Sequence, residues 1–144
     1  VDMPPAESAD LHDELQTAGI DTIYLVAPTT SATRASAIVS LSTGYLYYVS
    51  LKGVTGAALT DHQSVGEKIA ALRGLTDLPI VIGFGIKDAE SAQAMGKLAD
   101  GIVIGSALVG RIAELPVHEP QTSAGLQHCT AVIGVVRDVL NKIK

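Results

Sequence analysis

Leu78-Pro79-Ile80-Val81-Ile82-Gly83-Phe84-Gly85-Ile86 and, one helical stretch later, Gly101-Ile102-Val103-Ile104-Gly105-Ser106 decide the fold class. Each contains a short run of branched apolar residues that ends in glycine, the pattern of a strand buried between covering layers rather than of a helix. Asp88 lies between them, placed to cap a helix running to about Leu98. Gly105-Ser106 leads into another short helix, which breaks at Pro116. The local unit is therefore strand, glycine turn, helix.

Working outward, the same unit repeats. Glu7 to Ala18 carries Leu11, Leu15 and Ala18 at helical spacing, with Ser8 placed as N-cap and Gly19 as the stop. Thr22 to Ala27 is β-rich and halted by Pro28, and Thr30 or Ser31 can cap a helix to about Leu41. Tyr45 to Val49 forms a strand, and a long connection from Ser50 to Asp61, rich in glycine and small residues, suits a mobile loop over a site. A helix is expected from about His62 to Arg73, and a terminal helix from about 119 to 142. Val1-Asp2-Met3-Pro4-Pro5 reads as a strand end followed by a turn. The whole is expected to be a single domain, residues 1–144, made of that strand end and four β/α units.

Such alternation implies a parallel sheet, because a helix must return the chain to the starting edge. An open doubly wound sheet and part of a (β/α)8 barrel both satisfy it. A length of 144 residues by itself favours the first, since a whole barrel takes about 250.

Composition narrows the function classes. Hydrophobic residues make up 47% of the chain but aromatics only 3%, so the core is built from Ala, Val, Ile and Leu, a palette suited to parallel strands. Ten Lys and Arg stand against fifteen Asp and Glu, and the basic residues are scattered, which argues against a nucleic-acid groove. No apolar run reaches the roughly 20 residues of a membrane span and the N-terminus lacks signal-peptide regions, so a cytoplasmic protein is expected. The single cysteine, Cys129, is expected simply to pack. His12, His62, His118 and His128 show no metal-ligand spacing and are read as surface or capping residues, and no metal is expected.

In either architecture ligands bind where parallel strands end. Those positions are Asp2, Pro28-Thr29-Thr30, Gly53-Val54-Thr55-Gly56, Gly83-Phe84-Gly85-Ile86 and Gly105-Ser106. The first N–H groups of a helix have no intrahelical partner, and glycine lets an anion approach them closely, so Gly105-Ser106 suits a phosphate. A single glycine pair is more often just a tight turn. Two of them after the last two strands coincide with the recurrent phosphate position of barrels. Asp61 and Asp88 are read as helix caps and Asp100 lies at the wrong strand end. Asp2 alone among these carboxylates has a positional claim on chemistry, and it has no visible partner.

The same residues carry a family resemblance. Val1-Asp2-Met3-Pro4, Gly44-Tyr45-Leu46-Tyr47-Tyr48-Val49-Ser50, Gly53-Val54-Thr55-Gly56, Gly83-Phe84-Gly85-Ile86 and Gly105-Ser106-Ala107 resemble the tryptophan synthase α chain in order and spacing, up to about Leu115. The resemblance implies the C-terminal half of a TIM (β/α)8 barrel. It also implies a lyase that cleaves indole-3-glycerol phosphate to indole and glyceraldehyde 3-phosphate in tryptophan biosynthesis. The family pairs with a pyridoxal-phosphate β subunit and needs no cofactor of its own. Carried over residue by residue, Gly56, Gly85, Gly105 and Ser106 hold the phosphate, Leu25, Tyr47, Phe84 and Ile86 line the indole and glycerol region, and Thr55 helps close it. The family's catalytic Glu and Asp belong upstream of Val1, so a segment with these bounds is expected to be inactive alone. Lys52 and residues 57–61 depart from the pattern. Half a barrel also exposes strand edges, inviting the missing N-terminal half or a homodimer. Two other readings are a non-catalytic, self-associating phosphate module and another phosphate-binding barrel enzyme, such as a sugar-phosphate isomerase.

Overall fold

The structure, a computed structural model, describes residues 3–50, 62–83, 86, 88–116 and 122–143. The chain opens with one 3-10 turn, Pro5–Glu7, and then alternates: α1 (Ala9–Thr17), β1 (Leu25–Val26), α2 (Ala32–Leu41), β2 (Leu46–Val49), α3 (His62–Arg73), β3 (Ile80–Gly83), α4 (Ala89–Gly96), β4 (Gly101–Val103), α5 (Ser106–Ala113) and α6 (Ser123–Asn141). The expected strand end at Val1 and Asp2 lies outside the described residues.

All strand pairs are parallel, and the sheet order is β1-β2-β3-β4. That order decides between the two architectures. A doubly wound sheet reverses direction at a switch point, whereas here each crossover adds the next strand on the same side. Right-handed crossovers then place the connecting helices α2, α3 and α4 on one face, as in the arc of a barrel.

Burial follows that asymmetry. Val26, Tyr48 and Ile82 are register partners on the helix-covered face and are 0%, 1% and 0% exposed. Removing such side chains from water contributes about 1.5–3 kcal/mol each. They join Ile38 of α2, Val65, Ile69 and Leu72 of α3, and Ala92 and Met95 of α4 in one cluster. The opposite face carries Leu25, Tyr47, Val81 and Gly101, also in register; Leu25 is exposed and the others are half-buried.

Local chemistry explains most boundaries. Ser31 caps α2 by accepting the Arg34 N–H, Asp88 and Ser91 form a reciprocal capping box at α4, and Thr122 accepts the Gly125 N–H at α6. Ser8 departs from expectation. Its hydroxyl makes no helix cap; it donates to the Pro5 carbonyl and shares a 2.7 Å hydrogen bond with the Tyr24 hydroxyl, both partners buried. The 3-10 turn that begins at Pro5 precedes the serine, whose hydroxyl turns instead to Tyr24, the residue before β1.

The assigned β1 is shorter than the expected Thr22–Ala27 run, because at its start the Thr22 N–H is taken by the Thr43 hydroxyl (2.8 Å) rather than by a backbone carbonyl. Gly44 bends the chain into β2 at φ +66°, and a Cβ there would stand 2.9 Å from Ile23 and 3.0 Å from Asp21. Asp61, read as a cap, lies outside the described residues.

Candidate functional site

Parallel register brings the strand exits to one end of the sheet. Val49 of β2, Gly83 of β3 and Val103 of β4 are register partners, so the segments that follow them leave side by side. Gly105 and Ser106 come two and three residues after Val103. Gly105 is the N-cap of α5, no side chain caps it, and both residues are exposed. The first turn of α5, which no described side chain caps, thus lies with its leading backbone N–H groups at the C-terminal edge of a parallel sheet. A Cβ built on Gly105 meets no described residue within 4 Å.

On the inner face, Tyr47 lies across Gly83. A Cβ at Gly83 would collide with the Tyr47 hydroxyl oxygen and Cζ and stand 2.9 Å from Cε1. Burial raises the Tyr47 pKa above its ordinary value, with the neighbouring Tyr45 adding to the effect, so the phenol stays protonated. It keeps an O–H donor at the strand exits. Ser50, buried just past β2, donates both its backbone N–H and its hydroxyl to the Gly83 carbonyl, each at 3.0 Å.

At the neighbouring exit, Thr30 folds the turn after β1 by exchanging bonds with Ala27, and Lys68 of α3 donates to the Thr30 carbonyl at 2.7 Å. Sequence reasoning named Gly83 and Ser50 within strand-end motifs but not their contacts with Tyr47 and with each other, and it missed Lys68. Alternation in β2 places Tyr47 and Ser50 on opposite faces, but nothing in it says that Ser50 turns to a neighbouring carbonyl.

Of the residues expected at the site, the structure brings Leu25 and Tyr47 together as register partners on the open face. It sets Gly105 and Ser106 at the β4 exit. Ile86 is 4% exposed and packs within the hydrophobic cluster. Gly56, Thr55, Phe84 and Gly85 lie outside the described residues, as does Asp2. Asp100 is at the far strand end as expected, accepting the Ile80 N–H at 2.8 Å and facing Arg73 at 3.1 Å. Cys129 is buried, with a free thiol. Among the histidines, His128 pairs with Glu114 at 3.2 Å, His12 sits beside Tyr24 and Thr22, and His118 is outside the described residues. Among the described residues no group of His, Cys, Asp and Glu could hold a metal, and no helix is long and apolar enough to cross a membrane.

A profile of the tryptophan synthase alpha chain family matches residues 1–137. The chain belongs to that family. The tryptophan synthase alpha chain of Thioalkalivibrio sulfidiphilus is 48% identical over 98% of this chain and 52% of its own length. That of Methylococcus capsulatus is 54% identical over 78% of this chain and 42% of its own length. Among solved structures, tryptophan synthase subunit alpha from Legionella pneumophila superposes with a TM-score of 0.78 at 33% identity, covering 99% of this chain and 51% of that one. Mycobacterium tuberculosis tryptophan synthase gives 0.78 at 29%, covering 96% and 49%. The chain therefore spans about half the length of the relatives it matches. Its strands and helices correspond to half of the family's TIM barrel.

Proposed function

We propose that this chain supplies the phosphate-gripping half of a tryptophan synthase α-type lyase acting on indole-3-glycerol phosphate. The start of α5, uncapped by any described side chain, supports this reading: Gly105 and Ser106 are exposed at the exit of β4, and no described residue crowds Gly105. The phosphate dianion is held by the leading N–H groups of that helix and the Ser106 hydroxyl, with Gly85 and Gly56 completing the cradle from the neighbouring turns. Leu25, Tyr47, Phe84 and Ile86 line the indole and glycerol region, and Thr55 closes over it.

Cleavage of the substrate is a retro-aldol step. One group protonates the indole ring carbon while another removes a hydroxyl proton, work that two carboxylates in different environments perform. The described carboxylates do not form such a pair: Asp88 caps α4 and Asp100 braces the opposite strand end. The chain by itself accordingly binds phosphate ligands weakly and does not turn over. The acid and base come from the other half of the barrel, and a pyridoxal-phosphate β subunit receives the indole.

The test is calorimetric titration of the chain with glyceraldehyde 3-phosphate, beside Gly105→Leu and Ser106→Ala. The Cβ added at Gly105 meets no described residue within 4 Å, so the variant is expected to keep its melting temperature and lose binding. Ser106→Ala is expected to weaken binding several-fold. Unchanged affinity in Gly105→Leu would overturn the phosphate assignment. Indole release by the unassisted chain would overturn the inactivity.

A further inference from the structure

We infer that Lys68 is a positioning residue for the wall that β1 gives the site: its ammonium ties the turn after that strand to α3, and so fixes where Leu25, Pro28 and Thr29 meet a bound molecule. What a ligand feels of this rests on the function proposed above. The tie itself stands on geometry.

The turn is closed from within. The Thr30 N–H donates to the Ala27 carbonyl at 2.9 Å, and the Ala27 N–H donates to the Thr30 hydroxyl at 3.0 Å. Both bonds join residues three apart, so they shape the turn without setting its place against the rest of the sheet end. The strand that leads to it is short, Leu25–Val26, and little of the ladder reaches so far.

Lys68 supplies the outside fixture. It lies three residues after Val65 and four before Leu72, on the margin of the stripe that Val65, Ile69 and Leu72 bury, and is itself half-buried. From there its Nζ donates to the Thr30 carbonyl at 2.7 Å, a charge-assisted length. Because α3 joins β2 to β3, the bond crosses from one βα unit to the exit of another.

The charge is not spent on a carboxylate. Among the described residues none forms an ion pair with Lys68, and the adjacent Glu67 accepts from Gln63. Holding a lysine to one carbonyl gives up much side-chain freedom, so the bond must return that cost in order imposed on the turn. Leu25, the register partner of Tyr47, stands two residues before Ala27 and moves with the turn. The start of α5 lies at the exit of β4, at the other end of the strand order. Lys68 therefore serves the indole part of a ligand and not its phosphate.

Lys68→Met keeps the stem and removes the donor, and Lys68→Arg restores a donor. Hydrogen exchange at the Ala27 and Thr30 amides is expected to quicken about tenfold in Lys68→Met and to stay near wild type in Lys68→Arg. In calorimetric titrations of the same chains, Lys68→Met is expected to bind indole-3-glycerol phosphate several-fold more weakly and glyceraldehyde 3-phosphate as before. Thr30→Ala opens the turn without touching α3 and is expected to give the same two changes. Unaltered exchange at both amides in Lys68→Met would overturn the tie. Faster exchange with full affinity for indole-3-glycerol phosphate, or equal losses for both ligands, would overturn the positioning role. A failed phosphate assignment shows itself elsewhere, as unchanged affinity in Gly105→Leu, and the exchange rates then still decide whether Lys68 holds the turn.

Discussion

Replacing Gly83 by alanine sets the inner face of the sheet against itself. The new methyl would occupy space held by the ring end of Tyr47. Forcing an extra carbon into such a contact costs about 1–3 kcal/mol. The same substitution has a favourable side, since Gly83 lies in a strand at an ordinary φ, and alanine there is preferred over glycine by about 0.5–1 kcal/mol through the unfolded chain. Gly83→Ala should therefore destabilise by up to about 2.5 kcal/mol net. In a Tyr47→Ala background the obstruction is gone and the favourable term alone remains, so the sign reverses to about 0.5–1 kcal/mol of stabilisation. Urea unfolding of the four proteins of this cycle, followed by circular dichroism, measures the coupling, expected at about 1–3 kcal/mol. Equal effects of Gly83→Ala in both backgrounds would refute the contact and the view that glycine there exists to seat the tyrosine.

Two further outcomes follow from the same geometry. Asp100→Ala leaves the N–H of fully buried Ile80 without its carboxylate partner and should cost about 1–3 kcal/mol. Arg73→Ala, losing only a half-exposed ion pair, should cost under about 1 kcal/mol; equal losses in chemical denaturation would argue against the backbone bond as the main term. Burial raises the Tyr48 pKa above its ordinary value. Its contribution is thus complete below the unfolded-chain pKa of about 10 and declines as pH rises above it, because the unfolded chain releases the proton first. Tyr48→Phe should flatten the fall in melting temperature between neutral and strongly alkaline pH, and an unaltered slope would contradict the burial argument.

The alternation of strand and helix was legible because each element has its own period and its own punctuation: Ser31, Asp88, Gly44 and Pro116 fall where elements begin or end. The choice between an open sheet and a barrel arc was not legible from periodicity, since both need the same βα units. The strand order settles it through contacts between residues far apart in sequence, such as Leu25 with Tyr47 and Val81 with Gly101. Gly105 and Ser106 were readable because a helix start following a strand is a local feature. The covering of Gly83 by Tyr47 and the turning of Ser50 to a neighbouring carbonyl were not, for each depends on which strand lies alongside. Ser8 misled for a related reason: its sequence setting suits a helix cap, but Tyr24, sixteen residues away, competes for the hydroxyl.

The two hydrogen bonds from Ser50 to the Gly83 carbonyl make the ends of two strands a single mechanical unit. Neither can fray without stranding polar atoms that lie out of reach of water, so both tips open in one concerted event rather than in turn. A disturbance felt past one strand is thereby handed at once to the root of the connection beginning at residue 51, and hydrogen exchange at the two tips should keep a common clock.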